Sequence, residues 1–203
     1  MHTQFNRALF IHRLKKNIAE VVEAVRAYPN CFLGFGDVPL GMELEETEKW
    51  IDTQITSNSL YGIGEFTPGS EQQIMQLDTI FQALTATRIY PVWVHTFHPV
   101  TVDGIKLLMS LCEQYSGIPV IFGHLGGSNW MDVIKFAKEH GNVYLDLSAA
   151  FAELPERCLF SSDAPCGEPY LYRQLIEFVS PDKRAAEMAL GENISRLLEL
   201  NEG

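Results

Sequence analysis

The sequence lacks a basic excess, a paired cysteine motif and any apolar run long enough to cross a bilayer. Fifteen Lys and Arg stand against 26 Asp and Glu, giving a formal net charge of −11. A nucleic acid or an anionic membrane surface would want a basic face, so neither is an expected partner. The four cysteines, Cys31, Cys112, Cys158 and Cys166, form no CxxC pair and no framework spacing, so neither a zinc knuckle nor a disulfide scaffold is indicated. Cys31 and Cys158 each open an apolar run and read as buried thiols, while Cys166 could line a site. No apolar run approaches the roughly 20 residues of a membrane span. The first seven residues carry no signal-peptide h-region, and a cytoplasmic location is the expectation. Gly126-Gly127 is followed by no Lys or Ser/Thr at phosphate-loop spacing, and no GxGxxG opens a helix, which argues against nucleotide binding. With no low-complexity stretch and no linker, the 203 residues are expected to form a single domain.

Pro119–Gly127 is the most informative stretch present. Val120-Ile121-Phe122 run without alternation, and His124 then opens into Leu125-Gly126-Gly127. Continuous apolar runs of this length read as strands buried on both faces, the habit of a parallel sheet. The pattern recurs: Pro91-Val92-Trp93-Val94 ends in His95, and Cys158-Leu159-Phe160-Ser161-Ser162 ends in Asp163.

Other segments supply the alternating partners. Arg7–Tyr28 reads as an amphipathic helix through Ile11, Leu14, Ile18, Val21, Val22 and Val25, stopped by Pro29-Asn30. Cys31–Val38 and Leu60–Thr67 read as strands, with an acidic helix, Glu43–Thr56, between them. Ser70, with Gln73 three residues on, is a plausible N-cap for a helix to about Thr87. Helices follow at Thr101–Tyr115, Asn129–His140, Tyr170–Val179 and Pro181–Leu200, the last with a first-turn proline. Strands are expected near residues 32, 61, 92, 119, 143 and 158. Six strands alternating with helices specify an α/β architecture, a parallel sheet with right-handed crossovers.

Parallel α/β arrays present their chemistry at the C-terminal ends of the strands. Four strands here end in a ligand-type residue: Glu65, His95, His124 and Asp163. Two imidazoles with carboxylates suit a divalent ion, Zn²⁺ first and Mn²⁺ as the alternative. Water bound to such an ion is a nucleophile near neutral pH, and Asp163 is the chosen proton acceptor. One strand-end histidine serves a structural hydrogen bond as readily as a metal; it is the coincidence of several that carries the reading. Glu65 could equally pair with a basic side chain. His98 reads as a solvated loop residue, and His2, His12 and His140 as surface residues. Trp130 could wall a pocket or pack under a loop.

These pieces resemble the amidohydrolase superfamily, in its amidohydrolase family 2 branch of metal-dependent TIM-barrel enzymes. They are Gly62–Glu65, Pro91–Thr96, Val120–Gly127, Asn142–Ser148, Leu159–Pro165 and Gly191–Leu198. The resemblance implies a TIM-barrel-like fold in which His95 and Asp163 ligate metal, with Asp163 also the base. His124 would ligate metal in a hydrolase and act on substrate in a decarboxylase, and Glu65 would be similar to a metal-bridging acid. The family opens with a strand bearing His-x-His, and this sequence has no His-x-His. By that comparison the first two barrel strands are missing and six remain. A shortened gene product, an open or repacked barrel, or edges covered by a second copy of the chain would each account for this. The implied activity is hydrolysis of an amide, ester or lactone bond in a small-molecule substrate. A decarboxylase and a non-catalytic barrel remnant are the alternatives.

Overall fold

The computed structural model describes residues 8–10, 18–147, 155–162 and 168–200. Its centre is a sheet of seven strands, every neighbouring pair parallel and in sequential order. The strands are β1 (Ala8–Phe10), β2 (Phe32–Gly36), β3 (Gly62–Phe66), β4 (Val92–His95), β5 (Val120–Gly123), β6 (Val143–Asp146) and β7 (Cys158–Leu159). Among the described residues β1 and β7 each pair with a single neighbour, so the sheet curls without closing into a complete TIM barrel.

Helices lie between the strands and after the last of them. They are α1 (Ile18–Ala27), α2 (Leu44–Trp50, continued by a π-helical turn at Ile51–Thr56), α3 (Glu71–Met75) and α4 (Leu77–Ala86). After β4 come α5 (Val102–Gln114), α6 (Trp130–Glu139), α7 (Pro169–Val179), α8 (Lys183–Glu187) and α9 (Asn193–Leu197). The expected cap at Ser70 is used, and Thr101, expected as the first residue of its helix, is a second cap. Ser70 accepts from the Gln73 amide, and Thr101 accepts from the Gly104 amide. Each such cap stabilises its helix by about 1 kcal/mol.

The six expected strands are all present, and the main departure lies before them. Ala8–Phe10 is not the start of a helix but a strand, paired to β2 with Ala8 opposite Phe32 and Phe10 opposite Gly34. Among the described residues the helix spans Ile18–Ala27. At the other end Pro181 stands outside the last helical segment rather than in its first turn, because Asp182 is the cap, accepting from the Ala185 amide at 2.8 Å. Cys31 is exposed, in contrast to the expected buried thiol, since β2 begins one residue after it. Cys158 is buried as expected. Cys166, His2 and His12 lie outside the described residues.

Side chains alternate between two cores, as the period-2 pleat requires. Val92, Val94, Val120, Phe122, Val143 and Leu145 pack outward against the helices. Trp93 and Ile121, with Leu33, Phe35, Leu159 and Leu198, form a second cluster on the inner face, with Tyr144 against it. The parity places His95, Gly123 and Asp146, each two residues beyond an inner-face residue, at the inner rim.

Candidate metal centre

Glu65 reaches the inner rim through a break in the pleat. Along the β3–β4 ladder Ile63 pairs with Val92 and Phe66 with Val94, so β3 carries one residue more than its partner across this step. Both Ile63 and Phe66 pack in the outer core. Regular alternation from Ile63 would send Glu65 outward among the helices; the bulge turns it inward. Gly64 makes the bulge: its φ is +109°, and a Cβ there would lie 2.3 Å from the Trp93 carbonyl oxygen. No other residue fits that approach.

His95 ends β4 and is held on both sides of its ring. Nε2 lies 3.0 Å from the His98 carbonyl oxygen, and Nδ1 lies 3.1 Å from Glu65 Oε1. A carbonyl only accepts, so Nε2 carries the proton donated to it. Nδ1 therefore faces a carboxylate, a contact that requires a proton or a cation between the two atoms. His98 itself is exposed, as expected, and takes part through its main chain.

His124 follows β5 in a turn of unusual backbone. Four successive residues have positive φ: His124 at 60°, Leu125 at 55°, Gly126 at 84° and Gly127 at 53°. Two of them carry side chains, which costs free energy unless the surroundings hold the turn. Thr96, buried beside His95, supplies that hold. Its hydroxyl donates to the Gly123 carbonyl and accepts from the Gly126 amide at 2.8 Å, and its own amide donates to the Gly123 carbonyl at 3.2 Å. The turn sets His124 edge-on to His95, with ring centroids 4.7 Å apart and planes at 77°. His124 Nε2 lies 3.9 Å from Glu65 Oε1.

One ligand-type atom from each of Glu65, His95 and His124 falls within 4.8 Å of the others. An ion with ligands about 2.1 Å away in tetrahedral geometry would set them roughly 3.4 Å apart, so the cluster is near metal-holding dimensions. The side chains are 11%, 3% and 14% exposed, respectively. Two imidazole nitrogens and one carboxylate oxygen fit Zn²⁺ or Mn²⁺ and leave a position open. The His98 carbonyl behind His95 is the kind of outer contact that orients a ligating imidazole.

The structure thus brings three of the four sequence-predicted residues together. Asp163 lies outside the described residues. Trp130 begins α6 and is 45% exposed. His140, expected at the surface, is half-buried, its ring stacked on Phe136 at 3.9 Å. Sequence reasoning missed Asp146, a buried carboxylate at the inner rim of β6; its signal was the position two residues beyond Tyr144 at a strand end. It also missed Thr96, whose importance depends on a contact 30 residues away.

A curled parallel sheet with a ligand cluster on its C-terminal rim is a partial TIM barrel, and similarity to known proteins places it more closely. The chain belongs to the amidohydrolase family, whose sequence profile matches residues 3–200. No curated protein matches it. Among solved structures, it is similar to an uncharacterized TIM-barrel protein from Bordetella bronchiseptica, at 17% identity and a TM-score of 0.79 over 96% of this chain and 78% of that one. A dihydroxybenzoic acid decarboxylase from Polaromonas sp. JS666, solved with manganese and the inhibitor 2-nitroresorcinol, matches at 17% identity and a TM-score of 0.66, covering 92% of this chain and 74% of that one. A probable 2-pyrone-4,6-dicarboxylic acid hydrolase from Acinetobacter baumannii, solved with citric acid, matches at 12% identity and 0.68, over 97% and 84%. At these identities the likeness establishes the fold; the family includes both hydrolases and decarboxylases, so it does not choose the reaction. No helix among the described residues is long and apolar enough to cross a membrane.

Proposed function

We propose that the chain is a metal-dependent hydrolase acting on an amide, ester or lactone bond of a small molecule. The observation that carries this reading is the convergence of Glu65, His95 and His124 within 4.8 Å on the inner rim. A divalent ion held there, Zn²⁺ or Mn²⁺, would polarise a carbonyl and ease ionisation of a water. The protein's own groups divide the remaining work. Glu65 and the two imidazoles supply the donor atoms, His95 with its Nε2–H anchored on the His98 carbonyl. Asp163, at the end of the run Cys158–Ser162, is assigned a fourth donor to the ion and the carboxylate that accepts the water proton and returns it to the leaving group.

The test is a panel of esters, lactones and amides assayed with and without chelator, with an aromatic carboxylic acid series alongside. Chelator-sensitive hydrolysis, abolished by Asp163→Asn in metal-loaded protein, supports the proposal. Chelator-sensitive loss of CO₂ from the acids without hydrolysis would replace it with the decarboxylase reading. Turnover of neither series by metal-loaded protein would favour a remnant without catalysis.

A further inference from the structure

The indole of Trp93 is an unexplained polar group beside this rim. The side chain is 7% exposed, yet its Nε1 is buried without a hydrogen-bond partner among the described residues. Such a donor costs about 1–3 kcal/mol if it stays unpaired. Its ring packs edge-on against Phe35, centroids 5.9 Å apart, so the indole is held in place by the inner core. Trp50 provides the contrast within the same chain, because its Nε1 donates to the Asp37 carbonyl at 3.0 Å.

The orphaned N–H is directed to the metal-centre side of the sheet. Trp93 stands two residues before His95 on the same face of β4, and Gly123 is the direct partner of His95. A Cβ on Gly123 would lie 3.1 Å from Trp93 Nε1 and 3.4 Å from Glu65 Oε1. The indole N–H and the Glu65 carboxylate therefore lie against the same residue, and Gly123 adds no side chain between them. An indole N–H donates and never accepts. Whatever completes it must present an acceptor.

We propose that Trp93 is a substrate-binding residue whose indole N–H takes a carboxylate or carbonyl oxygen of the molecule bound beside Glu65, His95 and His124. The inference rests on the proposed use of this rim as the substrate site. It selects ligands with an oxygen acceptor on the side facing β4 and disfavours those presenting an amine there.

Three indole N–H resonances, from Trp50, Trp93 and Trp130, make the test direct. In ¹⁵N-labelled protein, the Trp93 signal is identified by its loss in Trp93→Phe. Acetate, acetamide and methylammonium are titrated separately into zinc-loaded and chelator-treated samples whose zinc content has been measured. The expected result is a saturable downfield movement of the Trp93 signal with acetate, with the Trp50 signal stationary. Acetamide moving it too would show that neutral carbonyls are taken; acetamide without effect would confine the site to carboxylates. Trp93→Phe should bind acetate about tenfold more weakly while keeping its zinc content, the loss of one hydrogen bond. Should that variant not fold, the Trp93 signal is identified by elimination, from the losses in Trp50→Phe and Trp130→Phe, and the wild-type titration decides. A Trp93 signal that ignores both acceptors, that moves equally with methylammonium, or that shows an unchanging cross-peak to a buried water throughout would overturn the proposal. Zinc bound with no Trp93 response removes this inference and leaves the metal centre standing. A Trp93 response without zinc binding does the reverse.

Discussion

The amide of Gly126 donates to the hydroxyl of Thr96 at 2.8 Å and so ties the turn carrying His124 to the strand carrying His95. Thr96 follows His95 directly, and its hydroxyl also donates to the Gly123 carbonyl immediately before His124. The two imidazoles are thus fixed relative to each other by main-chain contacts through one buried side chain. A site presented from a strand end and a turn gains the rigidity that metal binding needs in this way.

Thr96→Val keeps the shape and removes the hydroxyl. The Gly126 amide loses its acceptor in a buried place, which is expected to cost about 1–3 kcal/mol of stability. Thr96→Ser, which keeps the hydroxyl, should recover most of it. Urea unfolding of the three proteins measures the difference, and equal stability of wild type and Thr96→Val would refute the clamp.

Gly64 and Gly123 separate folding from site geometry. Gly64→Ala puts a Cβ 2.3 Å from a main-chain oxygen at a φ of +109°, and should cost about 3 kcal/mol or more. At Gly123 the nearest atoms to a Cβ are 3.1 Å away, with Glu65 Oε1 at 3.4 Å. Gly123→Ala is therefore expected to cost only about 1–2 kcal/mol of stability while weakening metal binding less than about tenfold, since its tight contacts are with Trp93 Nε1 and the Val94 carbonyl and Glu65 stays at ordinary contact distance. Thermal unfolding and metal titration of both variants check the contrast.

Three cysteines are described, and burial should rank their reactivity. Cys112 is buried on α5, and desolvation pushes its thiol well above the ordinary range. The thiolate is the reactive form, so Cys112 should resist alkylation at pH 8 until the protein unfolds. Cys31 is exposed and should be modified in the native state. Peptide mapping after iodoacetamide treatment, with and without denaturant, reads both outcomes.

Glu65, His95 and His124 could be read from the sequence because each follows an apolar run, and a parallel sheet carries every such run to the same rim. What turns them into one cluster could not. Glu65 has the wrong parity for the inner face until the bulge at Gly64 is known, and nothing local announces a one-residue insertion in a ladder. Ala8–Phe10 falls within a helical period because three apolar residues are too few to show alternation; their pairing with β2 decides their conformation. Thr96 owes its interest to partners at Gly123 and Gly126, and Trp93 to the lack of one among the described residues, and neither is announced by the neighbouring sequence. Cys31 shows the limit of boundary reading: one residue separates the exposed turn from the buried strand.

The metal centre itself also makes a prediction about Glu65. Glu65→Gln replaces the carboxylate opposite His95 Nδ1 with an amide of similar shape. Metal affinity should fall at least about tenfold while the fold is retained, as checked by calorimetric titration and circular dichroism.

The most direct measurement is the zinc and manganese content of the purified chain and of His95→Ala, by elemental analysis after dialysis against metal-free buffer. About one divalent ion per chain in the wild type, lost in a folded His95→Ala, is the predicted result. A wild-type chain that binds neither ion at micromolar concentrations, or a folded His95→Ala that keeps its full complement, would contradict it.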